Sequence, residues 1–175
     1  MASKEKFTNM ACITLQESAA NTLTFAKLET GIALFEKVAW LISRIEFVLQ
    51  NIGAALMNGD GDDVTWALTV SNQIAALATG DLITNPAIIY GQRIKRMDIG
   101  TAAAGMFWVD PAAVDFSTLP GGGLLVPPNP LWGAIEGYGC ASAALMYLRI
   151  YYTNYQLSGA DEYWELVESR RIIAG

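Results

Sequence analysis

Residues 144–155 (ALMYLRIYYTNY) constrain the fold of this chain more than any other segment. They are dense in the aromatic and branched side chains that suit a pleated β-strand. Because side chains alternate across a strand, one face would hold Ala144, Met146, Leu148, Ile150 and Tyr152. The opposite face would hold Leu145, Tyr147, Arg149, Tyr151, Thr153 and Tyr155. We expect both faces to be covered, one by the domain's own core and the other by a neighbouring subunit.

A short amphipathic helix is predicted after this strand, over residues 158–171. Ser158 and Asp161 have the spacing of a capping box, and basic residues at 170 and 171 fall in the last turn, where positive charge is favourable. Tyr163 belongs to the face that we expect to turn inward. Trp164 points elsewhere, so we expect this helix to contact two surfaces.

The rest of the chain consists of apolar segments separated by turn signals, which predicts one all-β domain over residues 1–175, a sandwich or a barrel. The clearest strand is 64–71, where apolar residues alternate with Thr, Ala and Ser after the turn sequence NGDGDD at 58–63. Further strands are predicted at 11–16, 21–28, 88–97, 106–109 and 131–135.

Residues 36–49 fit two structures. Val38, Ile42, Ile45 and Leu49 follow each other at spacings of three and four, which is typical of an amphipathic helix. The branched and aromatic residues of VAWLISRIEFVL favour a strand. We predict a strand; the alternative is a sandwich with an inserted helix around 35–50.

The composition points to an interface. The chain is 53% hydrophobic and only 16% charged, with a mean hydropathy of +0.30. Its uncharged stretch 64–80 is too short and too polar for a membrane span, and 116–135 contains four prolines and a triple glycine, which exclude a continuous helix in lipid. We therefore expect the apolar surplus to be buried between subunits.

The charge argues against nucleic acid as a partner. The net charge is −6, whereas general nucleic-acid affinity needs a positive surface, so we predict no sequence-specific nucleic-acid binding. The one dense basic patch is Arg93, Lys95 and Arg96. A solvated sheet edge is the favoured interpretation; contact with the phosphates of lipid head groups or nucleic acid is the alternative.

The chain offers little catalytic chemistry. It contains no histidine, which excludes Ser-His-Asp and Cys-His catalysis and histidine metal sites. In NGDGDD, Asp63 and Thr69 replace the glycine and the glutamate of a calcium loop, so a solvated turn is favoured over a weak shared cation site. Cys12 and Cys140 are expected to be small buried residues. We predict no catalytic residue, metal or cofactor, and hence no enzyme.

Glycine clusters at 121–123 and 137–139 do not have the spacing of phosphate-binding or dinucleotide-binding loops. We expect them to mark sharp turns or places where the backbone is approached closely.

Three segments are informative when taken together: DDVTWALTVS at 62–71, PGGGLLVPPNPLWGAI at 120–135, and ALMYLRIYYTNYQL at 144–157 with its following helix. With these segments the chain resembles the single jelly-roll capsid proteins of icosahedral viruses. In size and strand spacing the chain looks most like the small coat subunits of membrane-containing phages and archaeal viruses. The resemblance implies two four-stranded sheets, capsomers and a closed shell, with the protein located in the virion after assembly in the host cytoplasm.

Many jelly-roll coat proteins bind the genome with a terminal arm that is rich in Lys and Arg. The N-terminal segment of this chain differs from such an arm, because it contains only Lys4 and Lys6, separated by Glu5. This composition fits a subunit whose partners are other copies of itself, other virion proteins and, peripherally, an internal membrane. The predicted self-assembly contacts are Tyr147, Tyr151, Tyr155, Tyr163 and Trp164. The alternative function is an oligomeric β-sandwich module that binds carbohydrate on the same tyrosine face.

Overall fold

The computed structural model describes residues 3–4, 7–32, 37–50, 56–77, 81–96, 112–127 and 130–159. Within these residues there are ten strands and one short helix. In chain order these are β1 (Ser3–Lys4), β2 (Asn9–Gln16), β3 (Thr24–Lys27), β4 (Val38–Leu49), β5 (Asp63–Thr69), α1 (Asp81–Thr84), β6 (Ile88–Lys95), β7 (Ala112–Asp115), β8 (Leu124–Val126), β9 (Trp132–Tyr138) and β10 (Leu145–Gln156). No helix in the described part of the chain is long and apolar enough to cross a membrane.

The strands form two antiparallel sheets. In the six-stranded sheet, β10 lies between β4 on one side and β1 and β2 on the other, and β7 and β8 both pair with the far side of β4. The four-stranded sheet has the order β3-β9-β5-β6. The pairing is nested, because β2 joins β10, β3 joins β9, β4 joins β7 and β8, and β5 joins β6. This strand order is that of a jelly roll, so the predicted all-β sandwich is confirmed.

The core lies between the sheets. Phe47 of β4 and Trp66 of β5 meet across them, with ring centroids 4.9 Å apart. Trp66 contacts Tyr90 of β6 in turn, and Trp40 stacks on Tyr152 within the six-stranded sheet. Tilted and offset ring contacts of this kind add to the area that large aromatic side chains bury.

Residues 38–49 form a strand, so the alternative of an inserted helix is wrong. The pairing with β10 shifts at Ser43, because Arg44 lies opposite Tyr151 and Ile42 lies opposite Tyr152. Ser43 is thus the extra residue of a β-bulge, and both Ile42 and Ile45 reach the core.

The outer side of the four-stranded sheet is covered by the connection between β5 and β6. Ile74 and Leu77 of this connection pack with Ala67 of β5 and Ala134 of β9 in a second, smaller apolar cluster. All seven residues of β5 are therefore buried. Alternation alone would be typical of a half-buried strand, and the covering segment accounts for the difference.

One further expectation is confirmed, and the outcomes of the others vary. The glycine cluster at 121–123 is a turn, since Gly121 and Gly122 both have positive φ angles (89° and 76°). The short strands β7 and β8 were not predicted. The strand predicted at 106–109 lies outside the described residues. The predicted helix also lies outside them from residue 160 onwards.

Candidate functional site

The exposed side of the six-stranded sheet is the candidate site, and we call it the outer face. Its centre is β10, where Tyr147, Arg149 and Tyr151 alternate with core residues as predicted. β2 and β4 flank β10 in register. The outer face is defined here by Met10, Cys12 and Thr14 of β2, Arg44, Glu46 and Val48 of β4, and Tyr147, Arg149 and Tyr151 of β10.

A polar network occupies the middle of the outer face. The Tyr151 hydroxyl donates to Glu46 Oε2 at 3.0 Å. Arg44 and Arg149 lie on either side of the same carboxylate, at 2.9 and 3.5 Å. Side-chain hydrogen bonds raise the pKa of the Arg149 guanidinium above its ordinary value; the bond to Tyr151 has the largest effect, and the bond to Cys12 the next largest. Exposed ion pairs add little stability, so we assign this network the role of fixing side-chain positions.

Apolar side chains surround this network and remain open to solvent. Met10 is 57% exposed, Tyr147 45% and Val48 39%. A shallow groove of about 440 Å³ runs between Tyr147, Arg149 and Glu46. Tyr, Met and Arg, which are all present on the outer face, are enriched at protein–protein contacts relative to the rest of a protein surface.

The three predicted tyrosines of β10 share the outer side of the sheet but differ in surroundings. Tyr147 is open, and Tyr151 is half-buried and bonded to Glu46. Tyr155 packs against the buried cluster of Ala39 and Leu157, so its ring is already partly covered within the chain. The other two predicted contacts, Tyr163 and Trp164, lie outside the described residues.

The two cysteines have different environments. Cys140 is buried, as predicted, and this burial raises the pKa of its thiol to about 11. Cys12 is exposed, so the prediction that both are buried is wrong for Cys12. Its position in β2 explains the error, because Ile13 and Leu15 take the core-facing positions and leave Cys12 on the outer face.

The three residues of the basic patch, at the end of β6 and just after it, have different surroundings. Arg93 forms an ion pair with the buried Asp63 of β5, and Lys95 is exposed. Arg96 is buried and its Nη1 donates to the Met57 carbonyl oxygen at 2.7 Å. The interpretation as a solvated edge is therefore wrong for Arg96, which ties β6 to the loop before β5.

The NGDGDD segment forms a turn that is held by hydrogen bonds between its own residues. The Asp62 carboxylate accepts hydrogen bonds from the backbone N–H groups of Asn58 and Gly59, at 2.9 and 2.7 Å. These bonds occupy an oxygen that a calcium loop would direct at the ion. Across the described residues, no group of three His, Cys, Asp or Glu side chains is placed to hold a metal ion.

A polar groove of about 520 Å³ lies beside Arg93 on the four-stranded sheet. Asn21, Asp63 and Glu136 contribute to its walls, together with Tyr138, which is 70% exposed. Glu136 Oε2 accepts the Leu77 N–H at 2.6 Å and so anchors the covering segment. This groove could not be predicted from the sequence, because its residues come from five separate segments.

A buried carboxylate joins three segments at the same end of the sandwich. Glu17 is 2% exposed, and its oxygens accept the N–H groups of Thr22 at 3.0 Å, Gly137 at 2.6 Å and Ala144 at 2.7 Å. Asn21, in a left-handed conformation, adds two side-chain bonds to the Cys140 backbone. Sequence reasoning missed Glu17, since only the fold brings its partners to it.

Neither a protein-family model nor a curated protein matches this chain.

Proposed function

We propose that this chain is a structural coat subunit that self-assembles into an icosahedral viral shell. The observation that supports it most is the combination of a nested jelly-roll strand order with an open, partly apolar outer face. Jelly rolls occur in viral capsid proteins, as well as in lectin domains and cupins, so the fold alone leaves the function open and the surface must be considered.

The outer face has the properties of a contact between subunits. Met10, Val48 and Tyr147 expose apolar area on three neighbouring strands, and the regular strands behind them form a rigid support. Val48 lies beside Tyr147, and Met10 lies beside Tyr151 at the other end of the polar network, so a second subunit placed on this face would bury both apolar positions. Repetition of a modest contact by symmetry would provide the free energy of a closed shell.

The charge of the chain fits a shell that does not grip nucleic acid. A net charge of −6 repels phosphates, and a subunit of this kind would meet other virion proteins or, peripherally, an internal membrane. The protein would be located in the virion after assembly in the host cytoplasm. The subunit itself would perform no chemistry.

Electron microscopy and one pair of variants test the proposal. The purified protein is expected to form capsomers or larger particles in negative stain and in sedimentation velocity. Tyr147→Glu is expected to reduce assembly at least tenfold, because it places a charge in the apolar part of the outer face. Ile83→Glu, at an 87% exposed site on α1, is the matched control and should assemble normally. A wild-type monomer at all concentrations and salt conditions would contradict the proposal.

The polar groove supports a second candidate, a carbohydrate-binding module. An exposed Tyr138 ring beside Asn21, Arg93 and Glu136 combines a flat apolar surface with hydrogen-bonding groups. Pockets that recognise small polar ligands have this mixture. Glycan binding that is lost in Tyr138→Ala, in a protein that forms no particles, would favour the module over the coat.

A further inference from the structure

The edges of the two sheets differ in how they are protected. Exposed strand edges carry unpaired N–H and C=O groups, and natural proteins block them with charge, proline, bulges or short strands. β6 carries Arg93 and Lys95, and β3 is four residues long and ends in Lys27. β7 and β8 are four and three residues long, and Asp115 ends β7. β2, with the sequence NMACITLQ over eight residues, has none of these features.

We propose that β2 pairs, antiparallel and about a two-fold axis, with β2 of a second copy of this chain. The two six-stranded sheets would then join into one continuous sheet. This inference shares with the proposed function the premise that copies of the chain associate, and it adds which edge they use.

The hydrogen-bond pattern shows which backbone groups of β2 are available. Glu17 N donates to Ala144 O at 3.0 Å, one position beyond the Gln16–Leu145 pair. The Leu145 C=O accepts a hydrogen bond from Gln50 N on the other side of β10, so this group of Leu145 faces away from β2. Since backbone groups alternate in direction along an antiparallel strand, odd-numbered residues of β2 face β10 and even-numbered residues face away.

The residues whose backbone N–H and C=O groups face away from β10 are therefore Met10, Cys12, Thr14 and Gln16. All four side chains are exposed, in contrast with the buried Ile13 and Leu15 between them. Within the described part of the chain, β2 has a strand partner only on the side of β10. No strand among the described residues pairs with the eight N–H and C=O groups along this edge.

A second copy fits this edge over its full length. If the two-fold axis passes through Ile13, Cys12 lies opposite the second copy's Thr14, and Met10 lies opposite its Gln16. All four outward-facing residues then pair, which gives about eight backbone hydrogen bonds. No like charges meet, because NMACITLQ contains no charged residue. The exposed side chains of both copies fall on the same side of the joined sheet and extend the outer face across the axis.

Cys12 provides a direct test of both the edge and the register. In this register the Cβ atoms of residue 12 and of the second copy's residue 14 are about 5 Å apart, whereas two Cys12 residues are diagonal neighbours about 7–8 Å apart. Only the first pair is close enough for a disulfide. The variant Thr14→Cys should therefore form a covalent dimer when oxidised with copper-phenanthroline in air.

Two controls complete the crosslinking experiment. Wild type, with Cys12 alone, should give at least fivefold less dimer on a non-reducing gel. So should Thr14→Cys combined with Cys12→Ser, in which the two introduced thiols are again diagonal. Dimer in Thr14→Cys alone supports the proposal. No dimer in any variant, or equal dimer in all three, overturns it.

A backbone variant tests the same edge without a crosslink. Thr14→Pro removes an N–H group that faces away from β10, so the monomer should fold while edge pairing is blocked. We expect its dimer dissociation constant, from sedimentation equilibrium, to rise at least tenfold, with circular dichroism confirming the fold. An unchanged constant in a folded variant overturns the inference.

The outcomes separate this inference from the proposed coat function. Particles formed by subunits that do not crosslink through β2 would leave the coat proposal standing and overturn the edge pairing. Crosslinked dimers that never form particles would support the edge pairing and contradict the coat proposal.

Discussion

At the scale of single residues, Glu17 shows how one buried charge can hold an end of the sandwich together. Its carboxylate accepts three backbone N–H groups, which come from the loop after β2, from β9 and from the residue just before β10. Hydrogen bonds to a charged acceptor are stronger than neutral ones, and an unsatisfied buried donor is costly. The ends of β9 and β10 are therefore fixed by a side chain from the other end of the chain.

Glu17→Gln is expected to destabilise the protein by about 1–3 kcal/mol, because the amide nitrogen must face a backbone N–H at one of the two former oxygen positions. Urea unfolding at pH 7 measures the change in the free energy of unfolding. Glu29→Gln is the matched control, since Glu29 is exposed and pairs with Lys27 at the surface; it should change stability by less than about 0.5 kcal/mol. Equal effects in the two variants would contradict the proposed role of Glu17.

Cys140 should make stability depend on alkaline pH. Burial raises the pKa of its thiol from 9.0 to about 11, so the folded state favours the protonated form. Below pH 9 this contribution is fully present, and it is lost as the pH rises from 9 to 11, because the unfolded chain releases the proton first. We expect wild type to lose about 2 kcal/mol more than Cys140→Ser over this interval in urea unfolding. Parallel pH profiles for the two proteins would show that the thiol stays solvated.

At the scale of elements, the long strands could be predicted, whereas the short strands β7 and β8 could not. β2, β5 and β10 contain enough alternating residues for the pattern to indicate a strand. β7 and β8, with four and three residues, are too short to show a period, and their pairing with β4 defines them. The helical appearance of 36–49 comes from the bulge, because the extra Ser43 places the core residues Ile42 and Ile45 three positions apart.

The segment that covers β5 could not be predicted from the sequence either. The segment that covers it, 71–77, has no regular structure and carries only Ile74 and Leu77 as buried apolar residues. The same limit applies to the polar groove and to Arg96, since both depend on contacts between distant segments. For the outer face, alternation in β10 correctly placed Tyr147, Tyr151 and Tyr155 on one side.

Removal of one side chain tests the covering segment. Ile74→Ala is expected to cost about 2–4 kcal/mol, because Ile74 is buried against Ala67 and Ala134 and the cavity fills only partly. Ile83→Ala changes the same side chain at an exposed site and should alter stability by less than about 0.5 kcal/mol. Thermal unfolding of both variants gives the comparison. A loss below 1 kcal/mol in Ile74→Ala would mean that the segment does not contribute to folding.

At the scale of the whole molecule, two properties act against each other in any assembly. The exposed apolar side chains of the outer face favour association, whereas the net charge of −6 makes the subunits repel one another at pH 7. Salt screens repulsion over distances of about 8–10 Å near physiological ionic strength but has little effect on close apolar contacts. The dependence of assembly on salt and pH therefore reports which of the two dominates.

If the chain assembles as we propose, assembly should strengthen as salt rises. Between 0.05 and 0.5 M NaCl at pH 7, we expect the critical subunit concentration to fall severalfold, because screening reduces the repulsion of like-charged subunits. Lowering the pH from 7 towards the isoelectric point of 4.5 should act in the same direction, since the net negative charge decreases. Light scattering against subunit concentration measures both effects. Salt-induced dissociation would instead show that ion pairs or a bound polyanion hold the particles together, and the apolar outer face would then not be the main contact.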